Sequence, residues 1–213
     1  MATCYIFAAG SFYGLTEYPS DGDFVIAADA GLKHCTEAWV APDLILGDFD
    51  SLGEAPEGGD VLHLPVEKDD TDTIYAMRVG LERGYTDFVV YGGTGGSRAD
   101  HTIANLQGLL FLSSHGAHCR MYGDGVVWSV LHNEKVSFPA GCGGTLSLFC
   151  MDGAAREMRH AAAAHRTGRR LCRPLLRDRH ALRSSYRAAH GRFLCDFCVF
   201  FGIPCAVYRS AQC

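Results

Sequence analysis

Short apolar runs that each halt at glycine, aspartate or proline constrain this chain more than any other feature. Tyr5-Ile6-Phe7-Ala8-Ala9 stops at Gly10, and Phe24-Val25-Ile26-Ala27-Ala28 delivers Asp29-Ala30-Gly31. Leu44-Ile45-Leu46 leads into Gly47-Asp48-Phe49-Asp50-Ser51, and Val61-Leu62-His63-Leu64 precedes Pro65 and the polar segment 68–72. A fifth run, 87–91, opens onto Gly92-Gly93-Thr94-Gly95-Gly96-Ser97-Arg98-Ala99-Asp100-His101. Runs this short and apolar, bounded by turn residues, read as buried strands.

Helical spacing fills several of the intervals. Residues 32–39 are helical in pattern and closed by Pro42. Ile74, Met77 and Leu81 mark a helix over 73–83 that Asp72 is placed to cap and Gly84 ends. Ile103, Leu106, Leu109 and Leu110 mark another that ends near His115-Gly116. Strands alternating with helices in this way predict an α/β domain with a mostly parallel sheet, over residues 1–122. Ligands of such sheets bind beyond the carboxyl ends of the strands, where all four glycine- and aspartate-rich loops fall.

Asp29, Asp48, Asp50, Asp69, Asp70 and Asp72 are more carboxylates than the strand ends of a fold require. Gathered in one cleft they would repel one another, so a compensating cation is expected. Hard oxygen donors select magnesium, which binds through one or two carboxylates plus substrate phosphates. Asp48 and Asp50, two apart after an apolar strand, are the strongest pair, whereas Asp43 and Asp60 read as caps or solvated turns. The glycines at 92–96 lie between strand and helix, where backbone N–H groups can approach a phosphate, and Arg98 can add a bidentate contact with Asp100 and His101 behind it. The loop is neither a lysine-bearing P-loop nor a G-x-G-x-x-G fingerprint.

From Val126 the pattern changes to short β-like runs at 126–131, 135–138 and 144–149 with no helical interval, which predicts a small all-β, β-sandwich-like domain beginning at 123 and losing its pattern after 153. Charge changes there too. Residues 1–153 carry 21 acidic and 7 basic side chains, and residues 154–213 carry 3 and 12, every one of the latter arginine. A basic block can bind nucleic acid, but no aromatic interleaving, helix-turn-helix pattern or zinc-finger spacing accompanies this one, and no nucleic-acid partner is expected. The irregular series Cys195, Cys198, Cys205 and Cys213 does not form a zinc knuckle, and His34-Cys35 reads as helix filler. No apolar run approaches the ~18 residues of a membrane span, no basic leader precedes the first strand, and the cysteines read as buried thiols, so a cytoplasmic protein without a membrane partner is expected.

With these motifs in order, the chain resembles the thiamine pyrophosphokinase (thiamine diphosphokinase) family. The likeness rests on Asp29-Ala30-Gly31, on Pro42-Asp43-Leu44-Ile45-Leu46-Gly47-Asp48-Phe49-Asp50-Ser51, on Lys68-Asp69-Asp70-Thr71-Asp72, and on the segment 92–101 with Asn105 one turn later. It extends less sharply to residue 153, and the compact form is that of a bacterial member. The resemblance implies an α/β catalytic domain, a C-terminal β-sandwich and a homodimer with thiamine between subunits. It also implies Mg-ATP as co-substrate, with thiamine diphosphate and AMP as products. By the same likeness Asp48, Asp50 and Asp72 match the metal and phosphate region, with Asp29 and Asp70 close by. Gly92, Gly95, Gly96, Arg98, Asp100, His101 and Asn105 match the nucleotide-handling loop and helix. Asp72 and Asp100 are the candidates to orient or deprotonate the thiamine hydroxyl, so the catalytic set is Asp48, Asp50, Asp72, Arg98 and Asp100.

Residues 154–213 depart from the family, whose β domain supplies polar and aromatic residues, typically a serine-asparagine pair near the end, to the thiamine pocket. Residues 156–192 mix arginine, alanine and histidine without strand alternation, and the final stretch is rich in cysteine and aromatics. The expectation drawn is loss of the natural reading frame near 151–159; a divergent but folded tail is the competing reading. Three functions are therefore compared: diphosphoryl transfer to thiamine, magnesium-dependent nucleotide hydrolysis, and a non-catalytic nucleotide-binding remnant.

Overall fold

The structure is a computed structural model that describes residues 2–49, 60–66, 69–137, 145–150, 184–187 and 192–202. The chain divides into two compact units, Met1–Gly125 and Val126–Cys213. In the first, strands β1 (Cys4–Phe7), β2 (Phe24–Ala28), β3 (Leu44–Gly47), β4 (Asp60–His63), β5 (Asp87–Tyr91) and β6 (His118–Tyr122) lie in the order β4-β3-β2-β1-β5-β6. Every pairing among them is parallel. This is the α/β domain the alternation predicts.

Burial on both faces explains why β1, β2, β3 and most of β5 are apolar without interruption. Tyr5, Phe7, Val25, Ala27, Ile45, Val89 and Tyr91 face one layer, together with Cys35 of α1 (Gly31–Glu37). On the opposite face α2 (Asp72–Glu82) comes so close to the sheet that a Cβ on Gly80 would meet Phe88 and the Cys4 thiol. α3 (Ala99–Ser114) shares that layer, with the carbonyl of Leu109 accepting from Cys119 at 3.6 Å. Each large apolar side chain buried this fully contributes about 1.5–3 kcal/mol.

β1 and β2 are parallel neighbours, a link usually made by a helix. Here residues 8–23 cross without one. Phe12 and Leu15 pack on the core, and the hydroxyl of Tyr91 accepts from the N–H groups of Thr16 (3.1 Å) and Glu17 (2.8 Å) while donating to the Glu17 carbonyl (2.8 Å). Arg120 of β6 then clamps Glu17 at 2.8 Å and Asp87 at 2.8 Å, and Tyr122 donates to the same Glu17 carboxylate. Burial opposes the Arg120 charge, but its bonds to Asp87 and Glu17 outweigh this and raise its pKa. Burial and Glu17 together raise that of Tyr122.

Three local readings are corrected. Asp72 is not the cap of α2: Thr71 is, its Oγ1 accepting from Ile74 N–H at 3.3 Å, so Asp72 becomes the first helical residue. β6 was not anticipated, because His118, Arg120 and Tyr122 alternate with buried Cys119 and Met121 and break the apolar run. The separate runs at 126–131 and 135–138 are one strand, β7 (Val127–Ser137).

In the second unit β7 is joined by β8 (Thr145–Cys150), β9 (Ser184–Arg187) and β10 (Arg192–Gly202), in the order β7-β10-β8-β9 with antiparallel pairings. Ser184–Arg187 falls in the stretch expected to lack strands; pairing with Thr145–Leu148 supplies what its own alternation does not. Apart from β9 and β10, the 154–213 tail lies outside the described residues. Among the described residues no helix is long and apolar enough to cross a membrane.

Candidate active site

The chain begins in the middle of its first sheet, builds outward through β2, β3 and β4, and returns to the other side of β1 with β5. The strand order therefore reverses between β1 and β5, and a crevice at such a switch point is where open α/β sheets bind ligands. Beyond the strand ends the two loops are zipped together by backbone: Ala8 N–H donates to Tyr91 O (2.8 Å), Gly10 N–H to Gly92 O (2.7 Å) and Ser11 N–H to Thr94 O (2.8 Å). A Cβ on Gly10 would lie 2.5 Å from the Gly92 oxygen, and Gly92 itself has φ +67° with its missing Cβ aimed at Ala8 O. Both positions need glycine for this approach.

A cavity of about 460 Å³ opens there. Its acidic wall is Asp29 after β2, Asp48 after β3, and Asp70 and Asp72 flanking the start of α2. The same cavity is lined by Gly92, Gly95, Gly96 and Arg98, with His101 and Asn105 on α3. The first turns of α2 and α3 both contribute to the wall, and their helix dipoles favour anionic groups at this end.

Individual side chains are set by their neighbours. Asp29 has φ +50° and its N–H donates to Leu46 O at 2.8 Å, which turns β2 out of the sheet at the crevice. Phe49, between Asp48 and Asp50, also has a positive φ, +56°. Two non-glycine residues in the left-handed region at one cleft mark it as a place where backbone strain is retained. Asn105 is buried and donates through Nδ2 to Gly93 O at 2.8 Å, bracing the glycine loop from α3. Gly96 N–H donates to Ser11 Oγ at 3.0 Å.

Of the residues expected at the site, Asp29, Asp48, Asp70, Asp72, Gly92, Gly95, Gly96, Arg98, His101 and Asn105 all line this one cavity. Asp100 does not; it turns to Arg98. Asp50 lies outside the described residues. Thr71, Thr73 and Thr102 line the wall without having been anticipated, and Ser11 and Arg78 support it from behind. A lone threonine beside an aspartate carries no signal of its own, and the roles of Ser11 and Arg78 depend on partners distant in sequence.

Magnesium suits this donor set: the carboxylates of Asp48 and Asp72 line the same cavity as the glycine loop and an arginine able to hold phosphate. Among the described residues no three His, Cys, Asp or Glu side chains form a metal cage by themselves. An ion bound through one or two carboxylates and substrate phosphates does not require one.

An open parallel sheet with an acidic, glycine-edged pocket at its switch point defines an α/β domain of the phosphate-handling kind. The sequence profile of the thiamin pyrophosphokinase catalytic domain matches residues 15–121, half of the chain, and the chain belongs to that family. It is 34% identical over 99 residues to thiamine pyrophosphokinase of Bacillus subtilis, an alignment covering 44% of this chain and 46% of that protein. The matched part thus spans about half the length of that relative. In fold it is similar to the crystal structure of Bacillus subtilis thiamine pyrophosphokinase, with TM-score 0.73 and 21% identity over 94% of this chain and 98% of that one. A thiamin pyrophosphokinase family protein of Enterococcus faecalis gives 0.71 and 20% over 96% and 99%.

Proposed function

We propose that this protein transfers the diphosphoryl group of ATP to thiamine, giving thiamine diphosphate and AMP. One observation carries the reading: a switch-point cavity collects Asp29, Asp48, Asp70 and Asp72 together with Gly92, Gly93, Gly95, Gly96 and Arg98. Membership of the thiamin pyrophosphokinase family supports the choice of substrates.

In this reading the thiamine hydroxyl oxygen attacks the β-phosphorus of ATP, the bond from that phosphorus to the α-phosphate bridging oxygen breaks, and AMP departs. Asp48, Asp50 and Asp72 hold magnesium, which when bound offsets charge on the phosphoryl oxygens. Amides of Gly92 and Gly95 and the Arg98 guanidinium cradle the phosphates, Gly96, its N–H tied to Ser11, lets them approach closely, and His101 and Asn105 complete the nucleotide side. Asp72, which lines the cavity where Asp100 does not, is the candidate to orient or deprotonate the hydroxyl. Positioning and electrostatics carry the reaction without a covalent enzyme intermediate. The reading extends to a cytoplasmic homodimer with thiamine held between subunits.

The test is to incubate the purified full-length chain with Mg-ATP, with and without thiamine, and to separate the products by chromatography. Equal amounts of AMP and thiamine diphosphate, only when thiamine is present, are expected. AMP without thiamine diphosphate would replace transfer by hydrolysis, and no AMP from a folded sample would leave a nucleotide-binding protein.

A further inference from the structure

Arg98 sits at the cap position of α3 with no side-chain cap bond, and its guanidinium turns to Asp100 in the first turn. Nε reaches Asp100 Oδ1 at 2.9 Å and Oδ2 at 3.2 Å, and Nη2 reaches Oδ2 at 2.6 Å. The carboxylate therefore occupies the Nε–Nη2 edge and leaves Nη1 and the second Nη2 hydrogen for another acceptor. Arg98 lines the cavity and Asp100 does not.

We infer that Asp100 is a positioning residue: it fixes the Arg98 fork so that its remaining edge is presented to the polyphosphate of the nucleotide, and it is not the proton acceptor of the reaction. The inference rests on the proposed transfer reading and refines it. Three further facts agree. An arginine on an exposed loop loses much rotamer freedom on binding, and a partner that fixes its plane beforehand reduces that loss. The N-terminal turn of a 16-residue helix favours an anionic Asp100. The bond from Arg98 also holds the Asp100 carboxyl down at about 2, which makes it a weak base.

Mg-ATP binding by calorimetry and steady-state kinetics, on Asp100→Ala and Asp100→Asn in both the native and the Arg98→Ala background, test this. With Arg98 present, Asp100→Ala should raise Kd and KM for Mg-ATP about fivefold, the size of an oriented exposed pair, with the loss falling on KM and not on kcat. Asp100→Asn, nearly isosteric and able to accept one bond, should lie between. With Arg98 removed, neither change should have a further effect. A kcat loss of about a hundredfold in both backgrounds with KM unmoved would make Asp100 the base and overturn the inference; so would unchanged Mg-ATP affinity. Wild-type protein that binds Mg-ATP but forms no thiamine diphosphate would sink the transfer reading and leave the binding comparison decisive. Wild-type protein without Mg-ATP affinity would overturn both.

Discussion

Arg78 meets the Asp70 carboxylate at 2.8 Å while its guanidinium carbon lies 4.8 Å from the centre of the Phe111 ring. One side chain of α2 thereby ties a wall of the cavity to the C-terminal turn of α3. Partly exposed ion pairs of this kind contribute about 0.5 kcal/mol and a cation–π contact about as much again. Arg78→Ala should lower the denaturant-derived stability by about 1 kcal/mol and raise KM for ATP. Arg78→Lys should recover only part, since it lacks the planar fork. Full recovery by Arg78→Lys would show that charge alone matters, and behaviour equal to Arg78→Ala would show that charge contributes nothing without the fork.

Gly92 and Gly84 both have positive φ, +67° and +86°, yet only Gly92 is crowded; nothing lies within 4 Å of a Cβ on Gly84. Gly84→Ala should cost about 1–2 kcal/mol, the left-handed penalty alone. Gly92→Ala adds a collision with the Ala8 carbonyl and should cost more, with loss of Mg-ATP binding as the two loops part. Melting curves and calorimetry on the pair check this, and equal losses would contradict the switch-point zip.

Asn105→Ala leaves the Gly93 carbonyl without its donor, a buried loss of about 1–3 kcal/mol. Asn105→Asp sets a carboxylate oxygen against that carbonyl and should be worse. Nucleotide affinity should fall in the same order, measured by titration with Mg-ATP; an affinity indifferent to both variants would detach the loop from the nucleotide.

Asp23 accepts from Thr3 N–H at 2.7 Å and from the N–H and hydroxyl of Ser20, both at 2.9 Å. Burial works against its charge, but these bonds outweigh it and lower its pKa. A carboxyl depressed in the folded state adds stability above its unfolded value of about 3.9, and that stability is lost as pH falls through the folded value. Asp23→Asn should therefore be less stable than wild type near neutrality, with the gap closing below about pH 4. A gap that widens in acid has the wrong sign.

If the natural frame was lost near 151–159, one of the two other frames of the encoding DNA should continue a β pattern with acidic and lysine residues restored. Sequencing the gene region decides it: should neither frame do so, the arginine-rich stretch is native.

Much of the first unit was legible because its physics is local. Phe24–Ala28 and Asp87–Tyr91 form strands with the bounds their apolar runs suggest, and the motifs at their ends share one cavity. What escaped depends on contacts between distant residues. His118–Tyr122 is a strand because β5 accepts it, and its arginine reads as a strand breaker until Asp87 and Glu17 are brought to it. Thr71 displaces Asp72 as the cap because its hydroxyl, not the carboxylate, reaches Ile74. Asp100 pairs with Arg98 two residues back and does not line the cavity, which its place in the motif does not reveal.

The position of the first strand has a consequence for how the protein is made. β1, which leaves the ribosome before the other strands of the first unit, lies between β2 and β5 and requires β5, more than eighty residues later, on one side. Its following loop is fastened by Arg120, 103 residues beyond Glu17. Closure this distant in sequence is slow. The pocket therefore does not exist until almost the whole first unit has been synthesised, and a nascent chain halted before β6 presents the apolar edge of β5 to whatever it meets, which makes that interval the point of greatest dependence on chaperones.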